Sequence, residues 1–359
     1  MPDNSCILTN LSRWERGITR SISRDYRRLL RMVYGLSDVE LGIKPAEATA
    51  HAAAENTPRL HSDAASYYEI LFGEHVRADN LMGPRPALEI VSRQMEILAS
   101  AVRQARDIER PPLVRLACRY EEFLGWLNQD AGYLDQAMIH TDRARDLATE
   151  IDDPRLTAYL LMRKSNVASD ASDPSLALSL AKAALRAAPG MIGSMRAVVL
   201  RQQAHALAGL GKDAECADVI LEALDAVAGD RVELGEDSLA PYCTSSYVSM
   251  EAATCWLRLG MPDKAVDVFQ ETPINWPRDM RRDYGLHLAR RALAHAGVGD
   301  VPTACIHASE ATQNATVTAS SRTVYELKQV AGSLRRWEHR PEVEAVLSLI
   351  AHLVAGITN

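Results

Sequence analysis

Residues 286–311 read LHLARRALAHAGVGDVPTACIHASEA, and three small side chains in them keep a fixed interval. Ala292 and Ala304 stand twelve positions apart and Ala304 and Ala311 seven, with Gly299 between the first two. Two helices pack closely only where a side chain is nearly absent, so this frame of small residue, turn and two more small residues predicts a helix pair. Gly299-Asp300-Val301-Pro302 supplies the junction: glycine ends one helix, and aspartate and proline suit the start of the next.

The same frame recurs along the chain. Gly125, Ala137 and Ala144 fit it around Gly132, Ser165, Ala177 and Ala184 around Asp173-Pro174, and Ala204, Cys216 and Ala223 around Gly211. Ala253, Ala265 and Thr272 follow around Gly260, and a weaker set, Ala331, Val343 and Ile350, lies around residues 338–341. The middle members fall at 137, 177, 216, 265, 304 and 343, giving intervals of 40, 39, 49, 39 and 39 residues. The one long interval coincides with 229–241, a polar stretch that reads as an inserted loop.

These units resemble the tetratricopeptide repeat, whose helix pairs carry one small residue in the first helix and two in the second. They are longer than that family's usual unit and lack most of its large aromatics, so they read as degenerate repeats over 111–356. The resemblance implies an all-α fold, a right-handed α-α superhelix of about six helix pairs. Before it, 45–110 reads as a linker and a capping pair, with helices predicted over 64–81 and 86–107 on either side of Gly83-Pro84.

Composition agrees with such an array. Hydrophobic residues make up 47% of the 359-residue chain but aromatics only 5%, with three phenylalanines, so the core must be built from many small side chains. No apolar run is long enough for a transmembrane span and no leader pattern opens the chain, which predicts a cytoplasmic protein. The six cysteines are far apart and form no CxxC pair, so they read as buried thiols. Ten histidines include no HxxxH spacing, and no phosphate-cradling glycine loop, nucleophile elbow or paired catalytic carboxylate occurs. The reading is therefore of a chain with no cofactor, no metal and no enzymatic role.

Net charge is −7, but 1–44 carries eight Lys/Arg against five Asp/Glu, +3, leaving −10 on the remainder. An acidic body with a basic head fits a protein whose head alone approaches phosphate. Within that head, residues 10–17 read NLSRWERG, followed by an Arg-rich segment from 24. Leu11 and Trp14 can face a core while Asn10, Ser12, Arg13 and Arg16 face elsewhere; in the second helix Arg27, Arg28 and Arg31 point outward.

NLSRWERG before an Arg-rich helix resembles the recognition helix of the phage-repressor-like (Xre) helix-turn-helix family. The stretches 242–244, 250–257 and 281–290 resemble actinobacterial regulators that join such a head to degenerate repeats. The resemblance implies a transcription regulator that binds DNA through Thr9, Asn10 and Arg13, and it implies a homodimer, since such heads read two half-sites. Two helices precede the recognition helix in that family, whereas eight or nine residues do here. Either the start lies upstream or the head has lost its fold, so the expected specific DNA binding of this form is weak or absent.

In such superhelices the first helix of each pair faces the concave side. Counting one turn either side of each small residue gives a predicted groove of Arg119, Glu122, Trp126, Gln129, Tyr159, Met162, Asn166, Arg201, His205, Tyr247 and Met250. Amides beside aromatic and Met side chains suit an extended peptide, with Asn and Gln on its backbone. The competing expectation is an interaction scaffold that docks a protein and whose head no longer binds DNA.

Overall fold

The computed structural model describes residues 62–105, 107–228, 239–272 and 279–358, together with Arg27. The chain divides into two compact units, 1–59 and 60–359. Of the first, Arg27 is a helical, half-buried residue; the other head positions singled out above lie outside the described residues. No strand occurs among the described residues, which form fourteen α-helices and two short 3-10 turns.

The helices come in pairs. The first pair is α1 (Ser62–Met82) and α2 (Pro84–Gln104), and then α3 (Arg110–Ala131) pairs with α4 (Leu134–Ile151) and α5 (Pro154–Asp170) with α6 (Pro174–Ala187). The array continues as α7 (Gly193–Gly209) with α8 (Asp213–Ala228), α9 (Ser245–Arg258) with α10 (Pro262–Glu271), α11 (Arg281–Val298) with α12 (Val301–Thr318), and α13 (Ser321–Leu334) with α14 (Pro341–Thr358). Six of the seven junctions fall at the turn residues of the repeat frame. Asp153, Asp173 and Asp300 accept from backbone N–H groups of the helices they precede, so α5, α6 and α12 each start with a side-chain cap and a proline in the first turn.

The frame residues are where the helices touch. Ala137, Ala144, Ser165, Ala177, Ala184, Cys216, Ala223, Ala253, Ala265, Ala292, Ala304 and Ala311 are all 0% exposed. At two crossings the small residue also bonds the partner backbone: Ser165 Oγ donates to the Ala177 carbonyl at 2.6 Å, and Cys216 Sγ lies 3.4 Å from the Ala204 carbonyl oxygen. A Cβ on Gly125 would lie 2.7 Å from Thr141 Oγ1. Thr272 and Ala331 are only half-buried, Thr272 because α10 has just ended at Glu271. The core is accordingly a string of small clusters along the array rather than one centre.

The array closes on itself. Helix α1 packs against α2 and α3 and also against α11 and α12, and α13 touches α3. Gly83 is the closest point: its φ of 85° and the Thr318 carbonyl oxygen, 1.6 Å from where a Cβ would stand, both demand glycine. Across the same seam Ser320 Oγ donates to Asp130 Oδ1 at 2.7 Å. The first helix pair therefore does more than shield an apolar end; it seals the far end of the array to the near one.

Candidate functional site

Closure leaves a central cavity of about 980 Å³, near the upper end of ligand pockets in general. Its walls come mainly from α1, α3, α5, α7, α9 and α11, the first helices of their pairs, with Arg322 from α13, Phe269 from α10 and the segment from Leu239 to Thr244 ahead of α9. The chain's three phenylalanines, Phe72, Phe123 and Phe269, all line it, beside Trp126, Tyr159, Tyr242 and Tyr247. In a protein so poor in aromatics, their concentration here means that the helix crossings are built from small residues and the large rings face the interior space.

A polar ladder runs along the first helices. Arg163 donates through Nε to Glu122 at 2.7 Å and through Nη2 to Gln129 Oε1 at 3.2 Å. Gln129 donates to Asn166 Oδ1, Asn166 Nδ2 donates to Gln202 Oε1 at 3.1 Å, and Arg201 Nη1 reaches the same oxygen at 2.9 Å. The ladder then converges on Glu251, whose carboxylate lies 2.7 Å from His205 Nε2, 2.8 Å from Arg290 Nη1 and 3.9 Å from Arg201 Nη1. Arg290 Nε continues to Glu326 at 3.4 Å.

Burial and these partners set the charges. Burial alone would raise the Glu251 carboxyl, but Arg290, His205 and Arg201 together hold it well below the usual carboxylate range. Burial pushes His205 down to about 4 in spite of Glu251, so at neutral pH it is a neutral ring beside that carboxylate. Desolvation with nearby Arg291 and Arg290 takes His287, also on the wall, down to about 3.

At the seam the cavity wall centres on Trp126. Its indole N–H donates to Asp79 Oδ2 at 3.0 Å, and Asp79 also pairs with Arg282. Three guanidiniums lie over the indole: Arg282 at 4.7 Å, Arg163 at 5.0 Å and Arg322 at 5.2 Å. Side chains from α1, α3, α5, α11 and α13 thus meet on one ring. Asp130 nearby is buried, and desolvation raises its carboxyl to about 6 against the opposing pull of Arg322 and Ser320.

Of the predicted groove residues, Arg119, Glu122, Trp126, Tyr159, Asn166, Arg201, Tyr247 and Met250 line the cavity. Gln129, Met162 and His205 do not; they are buried behind the wall, Met162 fully so. The amides also differ in use from the expectation of peptide-backbone contacts. Gln129, Asn166 and Gln202 bond one another, because adjacent first helices stand close enough for side chains one unit apart to meet. Missed altogether were the α1 wall (Phe72, Val76, Asp79), the insertion's end (Leu239, Pro241, Tyr242) and Arg282 and Arg290. One signal was available: ladder partners are separated by 41, 37, 36, 39 and 36 residues, close to the repeat period.

Thr9, Asn10, Ser12, Arg13, Arg16 and Arg28 lie outside the described residues, and so does Cys6. The five described cysteines are buried and unpaired. Among the described residues no cluster of three or more His, Cys, Asp or Glu could hold a metal ion, and no helix is long and apolar enough to cross a membrane.

The paired, all-helical architecture finds a counterpart among solved structures. The chain is a helical-repeat protein that resembles Rap in fold. The Rap protein crystallised with Competence and Sporulation Factor superposes with a TM-score of 0.51 at 11% identity, covering 89% of this chain and 94% of that one. BtubC (BKLC) from P. vanneervenii gives a TM-score of 0.41 at 18% identity, covering 62% of this chain and 90% of that one. No family model and no curated protein matches the chain.

Proposed function

We propose that this protein is an effector-binding regulator: the closed repeat ring takes an extended, peptide-class ligand in its central cavity and controls a DNA-binding head at the N-terminus. The observation that carries the reading is the cavity itself, about 980 Å³ walled mainly by the first helix of six consecutive pairs and holding every phenylalanine of the chain. A space of that size, apolar at its rings and polar along one ladder, is the kind that binds ligands rather than a packing defect. The Rap-like fold supports it, since that protein was solved with Competence and Sporulation Factor bound. For the output, support comes from NLSRWERG and the +3 segment around it, whose family resemblance assigns Thr9, Asn10 and Arg13 to bases or phosphates, with Ser12, Arg16, Arg27 and Arg28 as further DNA contacts. Two half-sites would make the active form a homodimer.

Panning a random short-peptide library on the full chain should enrich sequences whose affinity, by calorimetry, falls at least tenfold in Met250→Trp, which projects an indole from the wall into the cavity. Selection from random duplexes should enrich an operator lost in Arg13→Ala, with the peptide shifting its affinity. Peptides indifferent to Met250→Trp would remove the cavity from the function; absence of any operator in every form of the chain would leave a scaffold that binds protein alone.

A further inference from the structure

The cavity is more cationic than the protein that encloses it. Among the described residues, seven arginines but five carboxylates line it and no lysine does, in a chain of net charge −7. Three of the lining arginines have a close acid: Arg163 has Glu122 at 2.7 Å, Arg290 has Glu251 at 2.8 Å, and Arg282 pairs with Asp79; Arg119 and Arg322 reach carboxylates only at 4.0 and 3.9 Å, from more exposed positions. Arg201 differs from these. It is 5% exposed, its nearest carboxylate oxygen is 3.9 Å away on a Glu251 already held by Arg290 and His205, and its Nε has no acceptor among the described residues.

A buried guanidinium with an open donor is an expensive arrangement unless an anion completes it. The surroundings are built to admit one. The Arg201 guanidinium carbon lies 5.5 Å from the Tyr247 ring centroid, and Tyr242 packs edge-on to Tyr247 with centroids 5.4 Å apart. Tyr242 is 40% exposed, lines the same space and ends the insertion between α8 and α9. Apolar surface adjoins it at Leu239 and Met250.

We infer that Arg201, flanked by Tyr242 and Tyr247, is an anion subsite that captures a carboxylate of the ligand, whose apolar or aromatic body then lies along the ringed wall of the cavity. This rests on the effector-binding reading above and names the group that such an effector must present. Guanidinium and carboxylate match in planar geometry and in opposite charge, and a neutral amide end group lacks the charge. The carboxylate could belong to a free organic acid or to the C-terminus of a short peptide, and the two are separable by experiment.

Four probes serve: phenylpropionate, phenylpropionamide, the tripeptide N-acetyl-Phe-Leu-Phe with a free C-terminus, and its C-terminal amide. Each is titrated by calorimetry into the full chain. At least one acid should bind ten times tighter than its amide, the tripeptide acid if the source is a peptide terminus and phenylpropionate if it is a small acid. Arg201→Met should abolish that preference and Arg201→Lys should restore part of it. Tyr242→Phe, which also removes a hydroxyl contact to Tyr159, should cut acid affinity several-fold and leave amide affinity unchanged. Acid and amide binding equally, both weakened by Met250→Trp, would overturn the anion subsite while leaving the cavity as the binding site. Acid binding undiminished in Arg201→Met, or no acid binding at millimolar concentration, would overturn it as well.

Discussion

Replacing Glu251 with glutamine tests whether the polar ladder holds the inner wall in place. The change keeps shape and removes one charge. Around it, Arg201 and Arg290 are 5% and 7% exposed, so neither can recover its solvation in water. Removing one partner of a buried ion pair costs roughly 3–5 kcal/mol, mostly from the charge left behind. Glu251 serves Arg290 at 2.8 Å, Arg201 at 3.9 Å and His205 at 2.7 Å, which argues for the upper end. Arg290 keeps Glu326 at 3.4 Å, which limits the loss. The expected cost is therefore about 4 kcal/mol, and at ~2 °C per kcal/mol for a large domain, Tm falls by roughly 8 °C.

Circular dichroism at pH 7 measures this directly. The pH dependence follows from the sign of the shift. Glu251 is held below its ordinary value of 4.5 in the folded protein, so its contribution is complete above that pH and is lost as pH falls toward the folded value. The deficit of Glu251→Gln should thus be constant from pH 8 to about 5 and narrow below. Adding Arg290→Met should recover part of the loss, because deleting both members of a buried pair is far less damaging than orphaning one. A Tm within about 2 °C of the parent would refute the claim that the ladder is energetically coupled to the fold.

The seam yields two more expectations. Gly83→Ala adds a clash with the Thr318 carbonyl to the strain of its φ of 85°, whereas Gly211→Ala, at φ 71° with nothing within 4 Å, adds strain alone. The first should lower Tm by several degrees more than the second and raise hydrogen exchange in α1 and α12; equal effects would mean that closure carries little stability. Asp130 is raised from 3.8 to about 6, so its stabilising effect is complete below 3.8 and disappears as pH rises through 6. Asp130→Asn should gain up to roughly 3 kcal/mol at pH 7, from 2.2 pH units at 1.36 kcal/mol each, and little at pH 4; a variant no more stable at pH 7 would contradict the buried carboxylate.

How far the sequence reveals this protein depends on which contacts are local to a repeat. The helix pairs and their crossings were legible, because a crossing requires a residue without bulk and the turn beside it requires glycine or an aspartate–proline start. Ala137, Ala177, Cys216, Ala265, Ala304 and Val343 mark those crossings, all of them 0% exposed. Eight groove positions fell on the cavity wall for the same reason, since one turn from a crossing is inward on every first helix. Closure was not legible. The interval from Asp79 to Arg282 is 203 residues and from Asp130 to Ser320 it is 190, with no repeat phase to connect them. Gly83 resembled an ordinary helix junction, and only the neighbouring Thr318 carbonyl reveals that it is also the closest contact of the ring.

Closure changes what a ligand can do. In an open stack, an effector on the concave face would touch a few neighbouring units and leave the ends independent. Here Phe72 and Val76 of α1 face the same space as Leu286 and Arg290 of α11, so a ligand filling the cavity touches both sides of the seam. Its contacts are complete only while the ring is shut, and a ligand shifts an equilibrium by no more than its differential affinity for the two states. The seam's contacts include Gly83 on Thr318, Ser320 on Asp130, Asp79 with Arg282, and Arg77 with Asp279 at 3.5 Å. Bridging by an effector would therefore add directly to the seam. Trp126 lies on both the cavity wall and that interface, so displacement of any of its three guanidiniums by a bound anion would be felt at the seam.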